Sequence, residues 1–461
     1  MTTAIRIVQS SDERAVAALL DRASRRDLSF ERRVARIVSD VRRRGDRALL
    51  SYAKRFDGLT GDVEVTRAEM QRGAASVSFD VRRAIAVAAR NIRHVARRQL
   101  PRGWTTRPVA GVTIVQRVVP LARVGCYVPA GRHPLPSSLL MTAIPASVAG
   151  VREIVAVCPK PDATVMAAAL EAGVTRLLRL GGAHAIAALA YGTARVPRVD
   201  KIVGPGNAYV AAAKALVAAD CAIDFFAGPS EILVISTTGR PAWIAADLIA
   251  QAEHDEDARA IFATPNAKLA RAVADEVARQ MPLDGPARAA LAGNGAIVVT
   301  RGLDEAIALS ERMAPEHVVC DSASVAARLT RAGTVFVGHQ SAQAAGDYIT
   351  GSNHVLPTSG AARSRGGLGA ADFVRVTTVQ TLSRAGLLAV APHAIALADA
   401  EGLRGHAASI RIRGTHENAS HEPPVAVARA SGSERATRTE RAGAAARERA
   451  SWGVRGAKPL G

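Results

Sequence analysis

Four side chains in the second half of the chain carry nitrogen and oxygen donors that could bind one metal ion. Gln251 and His254 lie three residues apart in a segment with helical periodicity, so both can face the same ion. Alone, they could equally form a polar turn near a helix C-terminus. Asp347 and His406 favour the metal, and the absence of a thiolate suits an open, exchangeable divalent site rather than a closed structural zinc.

A second candidate is the adjacent pair Glu316 and His317, which follows Met313-Ala-Pro in a predicted turn after a helix. On a turn both side chains can face a cleft. His317 could then act as a general base near neutral pH, and Glu316 could activate a water molecule. The same pair could also simply cap the turn, and the local sequence favours neither alternative.

Glycine turns between predicted strands and helices provide weaker signals. Lys201–Val210 and Arg179–His184 both have this form, in which the first N–H groups of a helix can meet a phosphate. Neither contains the GxGxxG pattern, so each is a weak cofactor signal alone. Ser230 follows Gly-Pro without the GxSxG pattern, which argues against a serine nucleophile.

Hydrophobic periodicity predicts the elements that position these residues. It is helical from Ser11 to about Leu100, and then strands alternate with helices over 112–217 and again over 232–337. This predicts an α/β fold with two tandem Rossmann-like, incompletely doubly wound domains and helical N-terminal and C-terminal extensions. The predicted parts are a helical region packing on the first domain (1–110), a first α/β domain (111–230), a second α/β domain (231–377), a C-terminal extension (378–413) and a tail (414–461).

The hydrophobic pattern of the C-terminal part changes twice along the sequence. Residues 378–401 have the periodicity of two helices, and Ser409-Ile-Arg-Ile-Arg413 alternates as a short strand does. Beyond Gly414 the sequence consists mainly of Ala, Arg, Ser, Glu and Gly with little periodic apolar content, which predicts a disordered tail.

Composition narrows the class of protein. A chain of 461 residues, 48% of them apolar, has enough apolar residues to form more than one hydrophobic core. Its four cysteines are scattered, the first residues lack the features of a signal peptide, and no apolar run is long enough to span a membrane. We therefore expect a cytoplasmic protein. The net charge of +19 comes mainly from dispersed arginines without interleaved aromatics, which argues against nucleic-acid binding.

The order of these motifs resembles the histidinol dehydrogenase family, whose members catalyse the last steps of histidine biosynthesis. The likeness runs from about residue 10 to 413. The motifs that carry it are Tyr127–Arg132, Gly181–Gly192, Gly204–Asn207, Ala227–Glu231, Gln251–His254, Pro315–His317, Gly346–Tyr348 and Glu401–His406.

The resemblance implies a zinc-dependent, NAD-linked oxidation of L-histidinol through L-histidinaldehyde to L-histidine, by two hydride transfers. It implies one zinc ion per subunit, held at Gln251, His254, Asp347 and His406. His317 would remove the alcohol proton, and Glu316 would help activate the water that adds to the aldehyde. Further positions implied to contact substrate or cofactor fall into two sets. NAD would meet Tyr127, His184 and Asn207, and the substrate would meet Ser230, Gln251, His254, His317, Asp347, Glu401 and His406.

The resemblance also implies that NAD binds on the side of 111–230 and that metal and substrate bind on the side of 231–377. It further implies an intertwined homodimer, in which 378–413 is a dimer-exchange extension and the partner subunit supplies His406 and Glu401. Three positions depart from the family pattern. His184 stands where Gln is common, which leaves that cofactor contact open, Ala130 replaces a usual Gly, and Gln343 stands where an acidic residue is common.

Two other functions compete with this one. A paralogous dehydrogenase of the same fold could act on another polar alcohol, such as a sulfonated diol. Glu401 argues against that substrate, because a carboxylate repels a sulfonate and suits a cationic one. A basic nucleic-acid-binding protein that has kept an inactive dehydrogenase fold is the second alternative, and it predicts steeply salt-dependent binding.

Overall fold

The computed structural model describes residues 5–21, 27–129, 135–226 and 228–415. Ala130, Ala227 and the predicted tail from residue 416 onward lie outside these ranges. The described residues form two compact units. Within the described ranges, the first comprises the residues up to Thr105 with those from Val115 to Val379, and the second comprises Thr106–Ile114 with the residues from Gln380 onward. The five-part division predicted from the sequence stays a prediction.

The strands, in chain order, are β1 (Arg6–Gln9), β2 (Glu64–Val65), β3 (Trp104–Val109), β4 (Val112–Pro120), β5 (Arg123–Tyr127), β6 (Glu153–Val157), β7 (Arg176–Leu178), β8 (Lys201–Val203), β9 (Ala222–Ile223), β10 (Glu231–Ile235), β11 (Arg259–Thr264), β12 (Ala296–Val299), β13 (His317–Cys320), β14 (Thr334–Val337) and β15 (Val374–Leu382).

The α-helices are α1 (Glu13–Leu20), α2 (Leu28–Arg44), α3 (Asp46–Tyr52), α4 (Arg67–Ser76), α5 (Phe79–Gln99), α6 (Pro136–Ala149), α7 (Ala163–Ala172), α8 (Gly182–Tyr191), α9 (Ala208–Val217), α10 (Pro241–Ala252), α11 (Ala267–Gln280), α12 (Ala287–Asn294), α13 (Leu303–Met313), α14 (Ala323–Ala326), α15 (Gln343–Tyr348), α16 (Arg384–Ala400) and α17 (Arg404–Thr415). A π-helical turn, Ala53–Asp57, follows α3.

The first six-stranded sheet has the order β2-β7-β6-β5-β8-β9. Its pairs are parallel except β2 with β7. Side chains of β6 alternate between two cores: Ile154 packs with α5, α6 and α7, and Val155 with α2 and α8. Helices therefore cover both faces, as the near-continuous apolar strands of this region predict.

The second sheet has the order β1-β12-β11-β10-β13-β14 and is parallel throughout. Its two faces are covered by α10, α11 and α12 on one side and by α1 and α13 on the other. The fold class predicted from the sequence is confirmed. Strand β1 was not predicted, because its four residues precede the first helix and pair with β12, 290 residues away in the chain.

The remaining strands form a three-stranded sheet in the order β15-β4-β3. In the second unit, helices α16 and α17 pack against each other. Two predictions are wrong here. Residues 378–382 belong to β15, so the predicted helical region contains one helix, α16. The predicted strand Ser409–Arg413 lies inside α17, which buries Ala407; five alternating residues are too few to distinguish a strand from a helix.

Among the described residues, no helix is both long enough and apolar enough to cross a lipid bilayer.

Candidate active site

The amino ends of two neighbouring strands bring the predicted catalytic residues together. Strands β10 and β13 run parallel with Ile232 opposite His317, so the residues just before each strand are adjacent. Ser230 Oγ donates a hydrogen bond to Glu316 Oε2 at 2.5 Å, and the backbone N–H of Glu231 donates to the same oxygen at 2.9 Å. The predicted turn at His317 is wrong, because that residue begins β13.

Glu316 is poised to exchange a proton near neutral pH. Burial raises the pKa of its carboxyl to about 8, although the hydrogen bonds from Ser230 and Glu231 act in the opposite direction. The neutral acid and the carboxylate are therefore both accessible under physiological conditions. A carboxyl group with this pKa can accept a proton from water and return it.

His317 has the tautomer and charge of a base. Its Nδ1 lies 3.2 Å from the backbone oxygen of Glu231, and because a carbonyl only accepts, Nδ1 carries the proton. Nε2 is then free to accept a proton, and it lies 3.9 Å from Asp347 Oδ1. Burial lowers the pKa of His317 to about 4, so the ring is neutral at pH 7.

Asp347 lies on α15 and faces this pair. Its Oδ2 accepts a hydrogen bond from Gln343 Nε2 at 2.9 Å, and its backbone oxygen accepts one from His354 Nδ1 at 2.8 Å. This hydrogen bond ties the loop that carries His354 to the helix that carries Asp347.

Gln251 carries the clearest sign of an absent ligand. Its side chain is fully buried in the last turn of α10, yet neither amide atom has a hydrogen-bond partner among the described residues. Buried amides are rarely left in this state without a bound group. His254 follows in the turn after α10, is exposed, and lies close enough to His317 to affect its pKa.

The predicted metal ligands come from both units of the chain. In the described part of the chain, no group of three or more His, Cys, Asp or Glu side chains is placed to hold a metal ion. Gln251, His254 and Asp347 belong to the first unit. Glu401 and His406 belong to the second unit, where both are exposed, so their contribution to the site stays a prediction.

The three residues predicted to contact NAD line a single cleft of about 1020 Å³ in the first unit. Tyr127 ends β5, His184 lies in the first turn of α8 after β7, and Asn207 caps α9 after β8. This is the carboxyl edge of the first sheet, where ligands of open α/β sheets usually bind. The catalytic pair instead lies at the amino edge of the second sheet.

Local hydrogen bonds fix the shape of this cleft. The N–H of Gly182 donates to Tyr127 Oη at 3.1 Å. Asp57 Oδ2 accepts from the N–H of Gly181 at 3.0 Å and lies 2.8 Å from His184 Nε2. The sequence did not identify Asp57, because it follows α3 more than 120 residues before the glycine turn that it holds.

Cationic side chains also line this cleft, although no local pattern in the sequence groups them. They come from α2, the π-helical turn and the loop after β6, namely Arg33, Arg36, Arg55 and Lys160. Phe56, which is exposed, lies beside them. Positive charge and an exposed ring suit an anionic ligand with an aromatic base.

Comparison with known proteins identifies the family. The sequence model of histidinol dehydrogenase matches residues 20–414 of this chain. The chain belongs to the histidinol dehydrogenase family. Histidinol dehydrogenase from Syntrophotalea carbinolica is 46% identical over 413 residues, which cover 87% of this chain and 96% of the relative. That from Cereibacter sphaeroides is 47% identical over 396 residues, covering 82% and 91%.

A solved structure agrees with this membership. The crystal structure of histidinol dehydrogenase from Elizabethkingia anophelis superimposes with a TM-score of 0.85 at 32% identity, covering 90% of this chain and 98% of that one. Like other histidinol dehydrogenases, the chain is an oxidoreductase of histidine biosynthesis.

Proposed function

We propose that this chain catalyses the zinc-dependent, NAD-linked, four-electron oxidation of L-histidinol through L-histidinaldehyde to L-histidine. The observation that carries the proposal is the pair at the start of β13. A buried neutral imidazole with a free Nε2 stands next to a buried carboxyl whose pKa is about 8. Two oxidations at one carbon need a base for the alcohol and a way to activate water.

In the first oxidation His317 is the base. Hydride leaves the alcohol carbon as its hydroxyl gives up a proton, and Nε2 of His317 accepts that proton. The hydrogen bond of Nδ1 to the Glu231 carbonyl stabilises the ring as it becomes positive. Asp347 Oδ1, 3.9 Å from Nε2, also favours the charged ring.

In the second oxidation Glu316 acts on water. As a carboxylate it accepts a proton from the water that adds to the aldehyde, and hydride transfer from the hydrate then gives the acid. Its two hydrogen-bond donors, Ser230 and the Glu231 backbone, hold Oε2 and leave Oε1 for the water. The adjacent residues therefore have separate tasks.

The donor set fits a zinc ion. Gln251 has an unpartnered buried amide, Asp347 Oδ1 has no hydrogen bond among the described residues, and His254 is accessible beside them. These three residues would hold the ion together with His406. Bound zinc would orient the substrate and act as a Lewis acid.

The cleft at the first sheet would bind NAD. Tyr127, His184 and Asn207 are the proposed contacts, and the cations around them would attract its pyrophosphate. His184 is already paired with Asp57, so its role would be to shape the cleft as well as to contact the cofactor.

A homodimer would complete the site with Glu401 and His406 from the partner. Large apolar side chains stand exposed on the second unit, which supports a covering partner. They are Leu382, Leu388, Leu397, Leu403 and Ile412.

Substrate choice is tested by comparing L-histidinol with a sulfonated diol as the alcohol, with NAD and zinc present. We expect NADH from L-histidinol and L-histidine as product. NADH from the sulfonate alone would instead support a paralogous dehydrogenase. Activity unchanged by His317→Ala, together with tight salt-dependent DNA binding, would support the nucleic-acid alternative.

A further inference from the structure

We propose that Gln343 is a positioning residue that fixes the orientation of Asp347 for the metal ion. This inference rests on the zinc site proposed above. Gln343 is the first residue of α15 and Asp347 lies one helical turn later, so the two side chains share one face. Gln343 Nε2 donates to Asp347 Oδ2 at 2.9 Å, and Gln343 is 1% exposed.

The hydrogen bond from Gln343 gives the two carboxylate oxygens of Asp347 different surroundings. Oδ2 is occupied by the amide. Oδ1 points toward His317 Nε2 at 3.9 Å, beyond hydrogen-bond range. Oδ1 is therefore the oxygen left for a ligand, on the side where His317 lies.

Gln343 is itself held from the helix that carries Gln251. Asp247, one turn before Gln251 on α10, lies close enough to the backbone N–H of Gln343 for that N–H to lower the pKa of its carboxyl. Helices α10 and α15 pack together. The helices that carry Gln251 and Asp347 therefore pack together, with Asp247 and Gln343 near each other at their contact.

The choice of an amide has a chemical consequence. An amide N–H donates to a carboxylate without any shared proton, whereas a carboxyl group at position 343 would need one to make the same bond. The buried Oε1 of Gln343 has no hydrogen-bond partner among the described residues, so only the Nε2 end of the amide makes a side-chain hydrogen bond there. The donor end alone accounts for its place beside Asp347.

The test is zinc affinity of the full chain, measured by competition with a chromophoric chelator and checked by the visible spectrum of the cobalt form. Gln343→Met keeps the length of the side chain and removes the donor. We expect zinc binding about 10–100-fold weaker, the usual cost of losing a partner of a metal ligand. Gln280→Met is the control, because it removes a half-buried amide that bonds Ala242 and Glu276 far from the site; we expect a change of less than about twofold.

A double-mutant cycle with Asp347→Asn separates positioning from a merely structural role. If Gln343 acts through Asp347, Gln343→Met weakens zinc binding only where Asp347 is present. An equal loss in the Asp347→Asn background, or an unchanged affinity in the single variant, would overturn the proposal. Gln343→Asn, which keeps an amide too short to reach Asp347, gives the same readout if the Met variant does not fold. Wild-type protein that binds no zinc would overturn both this inference and the proposed metal site.

Discussion

Replacing Glu316 by Gln should separate the two oxidations. The amide oxygen can accept the hydrogen bonds that Ser230 and the Glu231 backbone now donate to Oε2. Because the carboxyl is neutral over much of the pH range, with a pKa of about 8, the substitution resembles the protonated residue. We therefore expect the variant to fold at least as stably as wild type near neutral pH.

Catalysis should change in one step only. Loss of a positioned general base typically slows a step by about 10²–10⁴-fold, or about 3–5 kcal/mol of activation free energy. We expect that loss in the oxidation of L-histidinaldehyde. The oxidation of L-histidinol should change by less than about threefold, because His317 and its contact to Glu231 remain.

The assay is single-turnover NADH formation, started either from L-histidinol or from L-histidinaldehyde over a range of pH. In wild type the aldehyde step should accelerate as pH rises through about 8, as Glu316 ionises, and the variant should lose this dependence. Ser230→Ala removes one donor to the carboxylate, so it should shift the wild-type profile to higher pH. Equal rates of aldehyde oxidation in wild type and the Gln variant would refute the role given to Glu316.

Three further perturbations test how burial and backbone geometry affect stability and NAD binding. Because the pKa of Glu316 is raised on folding, its contribution to the stability of the metal-free chain should be complete below about pH 4.3 and be lost as pH rises through about 8. Urea unfolding should therefore show this loss of stability with pH in wild type and not in the Gln variant. Gly204→Ala should weaken NAD binding and lower the free energy of unfolding by about 1–3 kcal/mol, because φ of Gly204 is +114° and the added Cβ would meet the carbonyl at the end of β5. Gly302→Ala is the control, because Gly302 lies in open space at an ordinary φ. Similar NAD titrations of both variants would contradict the explanation. Lys214→Met should destabilise the protein by about 3–5 kcal/mol in thermal unfolding, since it leaves the buried Asp224 carboxylate without its cation; a smaller loss than the Gly204 variant would contradict this.

The sequence predicted those features that depend on local pattern. Apolar strands alternating with helices predicted parallel sheets covered on both faces, and both sheets have that form. The structure also places Ser230 beside Glu316 and His317 near Asp347, and the roles given to these residues stay predictions.

Features that depend on contacts between residues far apart in the chain could not be predicted from the sequence. Strand β1 pairs with β12, and Asp57 holds the turn at Gly181, although neither pair is close in sequence. The shifted pKa values of Glu316 and His317 arise from burial, which local sequence does not reveal. The short strand predicted inside α17 failed because alternation over five residues is compatible with either structure.

The most direct test of the proposed function is the number of NADH molecules formed per L-histidinol consumed, before chelation, after chelation and after zinc is restored. The account predicts two NADH per substrate, a loss of activity on chelation and its recovery with zinc. One NADH per substrate would contradict the four-electron reaction, activity unaffected by chelation would contradict the zinc requirement, and no NADH from the zinc-restored enzyme would contradict L-histidinol as the substrate.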